Sequence, residues 1–172
     1  DHREGIWYGI EQGIIDVLGY DHAPHTLEEK AKTYPASPSG MTGVQTLVPL
    51  MLDHVNAGRL SLARFVDLTS AGPARLYNIA CKGRIAAGYD ADFTIVDLKR
   101  SETITNQWVA SRAGWTPYDG MRVTGWPLAS SRGSPSSSSW YEVMRPVPEI
   151  VEVKSSLLAA LWQPTQLRSQ IG

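Results

Sequence analysis

The chain has 172 residues, a formal net charge of -1, 42% hydrophobic residues and one cysteine, Cys81. Near-neutral charge excludes a broad basic surface, so neither nucleic acid nor a membrane is expected as a partner. A single cysteine excludes an internal disulfide and any multi-cysteine metal pattern, and no run of about 18 apolar residues offers a membrane span. The N-terminal DHREG has neither the basic nor the apolar region of a signal peptide, so the expected location is cytoplasmic. The first residue is Asp1 rather than Met, which points to sequence upstream.

Residues 3–12 place Ile6, Trp7 and Ile10 on one side at helical spacing, and Gly13 stops that helix. Ile14 to Leu18 (IIDVL) is short and rich in β-branched residues, and predicts a buried strand. Residues 26–43, with Pro35, Pro38, Gly40 and Gly43, predict a long structured loop. Val44, Leu47, Val48, Met51 and Val55 form a helical stripe that ends at Gly58. Ser61 suits the N-cap of LARFVDLT, with Leu62, Phe65 and Val66 inward, and Pro73 suits the first turn of PARLYNI.

From residue 83 the pattern becomes β-rich. GRIAAGYDADFTIVDL predicts strand, turn and strand, with Gly88 and Asp90 at the turn, and ETITNQWVAS and MRVTGWP continue it. The expected organisation is an α/β unit over 1–80, a β-rich unit over 83–127, and a Ser-rich linker and tail over 128–172. Residues 149–162 could form a helix, and no internal repeat is visible.

The chemistry concentrates in DVLGYDHAPHTLEEK, where Asp21, His22 and His25 fall within five residues just after the predicted strand. In parallel α/β folds, sites lie at the carboxyl ends of strands. A carboxylate there can ligate a metal or move protons, and the nearby imidazoles can ligate metal or bind substrate. The bland reading is a polar turn, with Asp21 capping the backbone of HAPH. A zinc site needs at least three protein ligands, and the chain has no H-x-H or H-E-x-x-H motif to complete one. His54, beside an apolar stripe, suits a structural role, and His2 a solvated end.

GYDHAPHTLEEK followed by SPSGMTGVQTLVPLML resembles the last barrel strand and following loop of dihydroorotases, which are cyclic amidohydrolases. LTSAGPARLYNI, KGRIAAGYDADFTIVDL and WTPYDGMRVTGWP are similar to the closing segments of the same family. The resemblance covers about residues 1–127; D-H-A-P-H is its specific part, whereas G-x-I-x-x-G-x-D-A-D-F is shared across amidohydrolases. It implies an α/β fold class: the last strand and helices of a TIM (β/α)8 barrel, followed by part of a small β-sandwich. A complete barrel takes about 250 residues, so the resemblance implies a carboxyl-terminal portion, with most metal ligands on an upstream part.

The resemblance also implies roles. Asp21 matches a metal ligand that is also the general base. His25 matches a substrate-binding histidine, and Ser39 and Gly40 fall where backbone groups contact the substrate ring. His22 lies within the motif and suits holding the loop, and Tyr20 stands where the family usually has Ser or Thr. The implied cofactor is zinc, one or two ions, and the implied reaction interconverts N-carbamoyl-aspartate and dihydroorotate in pyrimidine biosynthesis. The implied partners are the small-molecule substrate and either a second copy, as a homodimer, or aspartate carbamoyltransferase. The alternatives are a non-catalytic structural partner of that transferase, or an allantoinase or hydantoinase. After Pro127 the match stops, as a frameshift or a divergent tail would produce.

Overall fold

The computed structural model describes residues 2–131 together with Trp140–Tyr141 and Leu158–Ala159. Helix α1 spans His2–Glu11 and ends where Gly13 adopts φ 72°, a left-handed conformation that glycine takes without a steric penalty. The chain then folds back, and the amides of Ile14 and Ile15 both donate to the Gly9 carbonyl. Ile10 is buried and Trp7 packs on the core, but Ile6 is exposed, so the inward stripe of α1 is narrower than its spacing suggested.

Residues 14–18 do not form the expected strand among the described residues. A strand is defined by a ladder, and what holds this segment is of another kind. The Leu18 amide donates to the Leu68 carbonyl at 3.0 Å. Arg64 reaches back to the Ile10 carbonyl at 2.9 Å and also donates to the Ile15 carbonyl. Ile15 and Leu18 face the core, whereas Ile14 is 67% exposed.

The stretch expected to be loop contains a short helix, α2, over Leu27–Lys30. A capping box starts it: Thr26 accepts from the Glu29 amide, and the Glu29 carboxylate accepts from the Thr26 amide. Helix α3 (Leu47–Asn56) follows the predicted stripe, and Gly58 takes φ 75° beyond it. Helix α4 (Leu62–Val66) starts at Ser61, whose hydroxyl accepts from the Arg64 amide. A π-helical turn, Asp67–Ala71, leads into α5 (Gly72–Leu76), with Pro73 in its first turn. Gly72 is needed there because a Cβ would lie 2.5 Å from the Asp16 carbonyl oxygen, where the 14–18 segment crosses.

Strand β1 spans Phe93–Thr103 and pairs antiparallel with β2, Arg122–Ser131. The expected strand before Phe93 does not form. Instead Lys82 pairs with Asp90 and Asp92, closing residues 82–92 as a strap. Strand β2 overlaps the start of the expected Ser-rich linker. Two short strands, β3 (Trp140–Tyr141) and β4 (Leu158–Ala159), complete the sheet order β3-β2-β1-β4. The helix expected over 149–162 lies outside the described residues except at Leu158–Ala159, which is a strand.

One core joins Ile10, Leu52, Leu60, Phe65 and Leu68 from the helical part to Val96 of β1. A second gathers Ile104, Val123 and Trp126, with Leu50 of α3 packed against it. Helix α3 docks on β2 at Gly125, where a Cβ would come within 2.5 Å of Leu52 Cβ. Beside it Asn56 Nδ2 donates to the Thr124 carbonyl, and the Thr124 amide donates to Asp53, each at 2.8 Å. This docking fixes the 104–121 connection against the loops before α3.

Candidate active site

Two arms of chain meet before α3: residues 20–25, and residues 38–46. The Tyr20 ring lies where a side chain on Gly43 would be, with Cε1 only 1.4 Å from an ideal Cβ at that position. Only glycine can follow Thr42 while this ring stays in place. The Tyr20 hydroxyl is buried and makes no hydrogen bond of normal geometry, although Thr46 and Tyr118 lie close to it. Burial, the largest cause, pushes its pKa up to about 12.

His22 ties the arms together. Its Nδ1 accepts from the amides of Gly43 at 3.1 Å and Val44 at 3.4 Å. Nδ1 therefore carries no hydrogen, and the ring proton is on Nε2. One residue on, the Ala23 amide donates to the Met41 carbonyl at 3.2 Å. Gly40 has φ 106°, and a Cβ there would lie 2.6 Å from the Ala23 oxygen and 3.4 Å from His25 Cδ2. A bare Cα at residue 40 thus lets the second arm close on the first.

The structure brings His25 and Gly40 together. Ser39 is exposed beside Gly40, and Asp21 is exposed, with no hydrogen bond or ion pair among the described residues. His25 Nδ1 lies 3.3 Å from Glu29 Oε2. The Thr26 amide, and after it His25, holds the Glu29 carboxyl below the usual carboxylate range. The Asp21 carboxylate has no protein partner among the described residues and is open to solvent, while the imidazole next to it accepts from backbone amides. A turn-capping aspartate would show the opposite arrangement.

His54 is apart from this site. It packs edge-on against Trp7, with ring centroids 4.6 Å apart, and burial lowers its pKa. Among the described residues no group of three or more His, Cys, Asp or Glu side chains could hold a metal ion. Asp21 can supply one ligand of a metal site, but these residues alone do not fit a complete one.

Several contacts at the site could not be anticipated. Thr42 donates to the Trp115 carbonyl at 2.6 Å, and Trp115 Nε1 donates to the His25 carbonyl at 2.7 Å. Gln45 donates to the Trp108 carbonyl and accepts from the Ala110 amide, each at 2.8 Å. These partners lie 63 to 90 positions away, beyond any periodic signal. The motif WTPYDG was visible, but its contact with the histidine arm was not.

The model of the amidohydrolase family matches residues 1–123, and the chain belongs to that family. It is 43% identical over 125 residues to the dihydroorotase of Pyrococcus furiosus, covering 73% of this chain and 28% of that protein. The dihydroorotase of Methanosarcina mazei is 41% identical over 127 residues, with the same two coverages. Among solved structures, L-hydantoinase (dihydropyrimidinase) from Arthrobacter aurescens superposes with a TM-score of 0.68 at 36% identity, covering 74% of this chain and 29% of that one. D-hydantoinase (dihydropyrimidinase) from Thermus sp. gives 0.65 at 29% identity, covering 74% and 29%. The fold is thus of the amidohydrolase class, and the chain spans less than a third of the length of these relatives. Among the described residues, no helix is long and apolar enough to cross a membrane.

Proposed function

We propose that this chain forms part of a zinc-dependent dihydroorotase that interconverts N-carbamoyl-aspartate and dihydroorotate in cytoplasmic pyrimidine biosynthesis. The observation that carries this reading is the exposed Asp21 carboxylate, without a partner among the described residues, on the arm whose His25 meets Gly40 of the other. Dihydroorotases at about 40% identity support the substrate. In this reading residues 1–80 complete a TIM barrel, 83–127 belong to a β-sandwich, and 128–172 are an appended tail. Its partners are its small-molecule substrate and a second copy or aspartate carbamoyltransferase.

When bound, one or two zinc ions would activate water and polarise the amide carbonyl, with Asp21 as one ligand and the others from outside the described residues. Asp21 takes the proton from the attacking water and delivers it to the leaving amide nitrogen as the ring C–N bond breaks. His25 and the Ser39–Gly40 backbone bind and orient the ring. His22 holds the Asp21 arm through the Gly43 and Val44 amides, and Tyr20 packs beneath it.

In the complete protein, Asp21→Asn keeps the size and one acceptor oxygen but removes the base. Loss of acid–base catalysis typically costs about 10²–10⁴-fold in rate, so kcat should fall by at least about 10²-fold in both directions. Steady-state kinetics with zinc content measured on each variant checks this. A variant within a few-fold of wild type and retaining its zinc returns Asp21 to the role of a loop cap. Parallel assays with hydantoin and allantoin substrates test the other cyclic-amide reactions, to which the hydantoinase structures lend support.

A further inference from the structure

Trp115 lies between β1 and β2, in a connection anchored to the second core. The Thr116 amide donates to Asn106 Oδ1 and the Asn106 amide to Asp119 Oδ1, each at 2.7 Å. The Gly120 amide donates to the Ile104 carbonyl and the Ile104 amide to the Met121 carbonyl, each at 2.9 Å, and Ile104 is fully buried. Trp115 therefore projects from a fixed base that belongs to neither arm of the candidate site.

From that base it holds both arms. Its indole N–H donates to the His25 carbonyl at 2.7 Å, and its own carbonyl accepts from the buried Thr42 hydroxyl at 2.6 Å. Lys30 Nζ sits 5.6 Å from the indole centroid and donates to the Pro38 carbonyl at 2.8 Å and the Gly40 carbonyl at 3.2 Å. Any buried indole N–H usually finds an acceptor; what sets Trp115 apart is that one residue bonds both arms, through its ring to His25 and through its carbonyl to Thr42. None of these bonds involves Asp21, which sits at the other end of the same arm, where His22 makes the attachment.

We propose that Trp115 is a positioning residue that sets the spacing between His25 and Gly40, and so the fit of the cyclic amide, without acting on the Asp21 chemistry. This rests on the reading that His25 and Gly40 face the substrate. A bond lost on the His25 and Gly40 side loosens ring binding, whereas proton transfer at Asp21 is untouched once the ring is bound.

Trp115→Phe keeps an aromatic face for Lys30 and removes the donor; Trp115→Leu removes both. In the complete protein acting on dihydroorotate, Trp115→Phe should raise KM by about 3- to 10-fold, the effect of one net hydrogen bond, with kcat changed less than about 2-fold. Trp115→Leu should raise KM further. Hydrogen exchange at the Ala23 amide, which bridges the two arms, should quicken in both variants, while the Gly43 amide bonded to His22 and the interior of α3 are unchanged. Unaltered exchange at Ala23 overturns the clamp whatever the kinetics, and a fall in kcat at constant KM overturns the positioning role. If Trp115→Leu does not fold, Trp115→Phe alone decides. A complete protein that turns over no dihydroorotate sinks the functional reading instead, and the exchange measurement still decides the clamp.

Discussion

Residues 14–18 and residues 20–46 adjoin in the chain and are held in opposite ways. The first carries the stronger local signal, four apolar positions out of five, yet its backbone is fixed by Arg64 and the Leu68 carbonyl rather than by a ladder. The second carries almost no periodic signal, yet glycine contacts and side-chain-to-backbone bonds close it on both sides. A strand needs a neighbour to satisfy its backbone, whereas a loop can be satisfied by the side chains it brings along. The candidate functional residues lie on the loop, and its closure rests on Gly43, His22 and Trp115.

The largest effect should come from breaking the loop at Gly43. Gly43→Ala puts a methyl group inside the Tyr20 ring, and overpacking of that severity costs about 3 kcal/mol or more. Urea unfolding should show that loss, and Tyr20→Ser in the same chain should recover most of it. If the two changes are additive, the arms are not locked by this contact.

The neighbouring segment should be next in sensitivity, through Arg64. Arg64→Ala leaves the Ile10 and Ile15 carbonyls without their side-chain donor and the Asp67 carboxylate with Arg75 alone. The expected cost is about 2 kcal/mol, since bonds to charged groups contribute about 1.5–3 kcal/mol each and water replaces part of them here. Exchange at the Leu18 amide should quicken with it. An unchanged Leu18 would mean that the segment is held by burial of Ile15 and Leu18 alone.

A smaller effect of opposite sign is expected at Tyr20. Tyr20→Phe removes a buried hydroxyl that has no hydrogen bond of normal geometry, and should stabilise by about 1 kcal/mol. Destabilisation would show that the hydroxyl has a partner in solution.

The smallest effect concerns pH. Burial, helped by Arg59, lowers the His54 pKa from its ordinary 6.5. Its contribution is therefore complete above about pH 6.5 and declines as pH falls from 6.5 through the lowered folded value, because only the unfolded chain takes up the proton readily. His54→Gln should flatten that part of the stability profile while leaving the Ala23 and Gly43 amides unaffected. A slope that persists would place the titrating group elsewhere.

Much of the local structure was legible in the sequence. The stripe from Leu47 to Val55, the Ser61 cap, the Pro73 turn, and the glycines at 13 and 58 depend on near neighbours and on φ, and the structure forms them where the residues indicate. D-H-A-P-H likewise located the candidate chemistry, because residue types within five positions suffice to show it. Tertiary structure decided the rest. It withheld a strand from 14–18 and from the segment before Phe93, since pairing depends on distant backbone and on charges such as Lys82 and Asp92. It gave His22 to the Gly43 and Val44 amides, left the Asp21 carboxylate without a partner among the described residues, and brought Trp115 to the His25 carbonyl from 90 positions away. Local sequence fixes dihedral preference and residue chemistry, but which polar atom is spent on the fold and which is left for a ligand depends on contacts that only the folded chain creates.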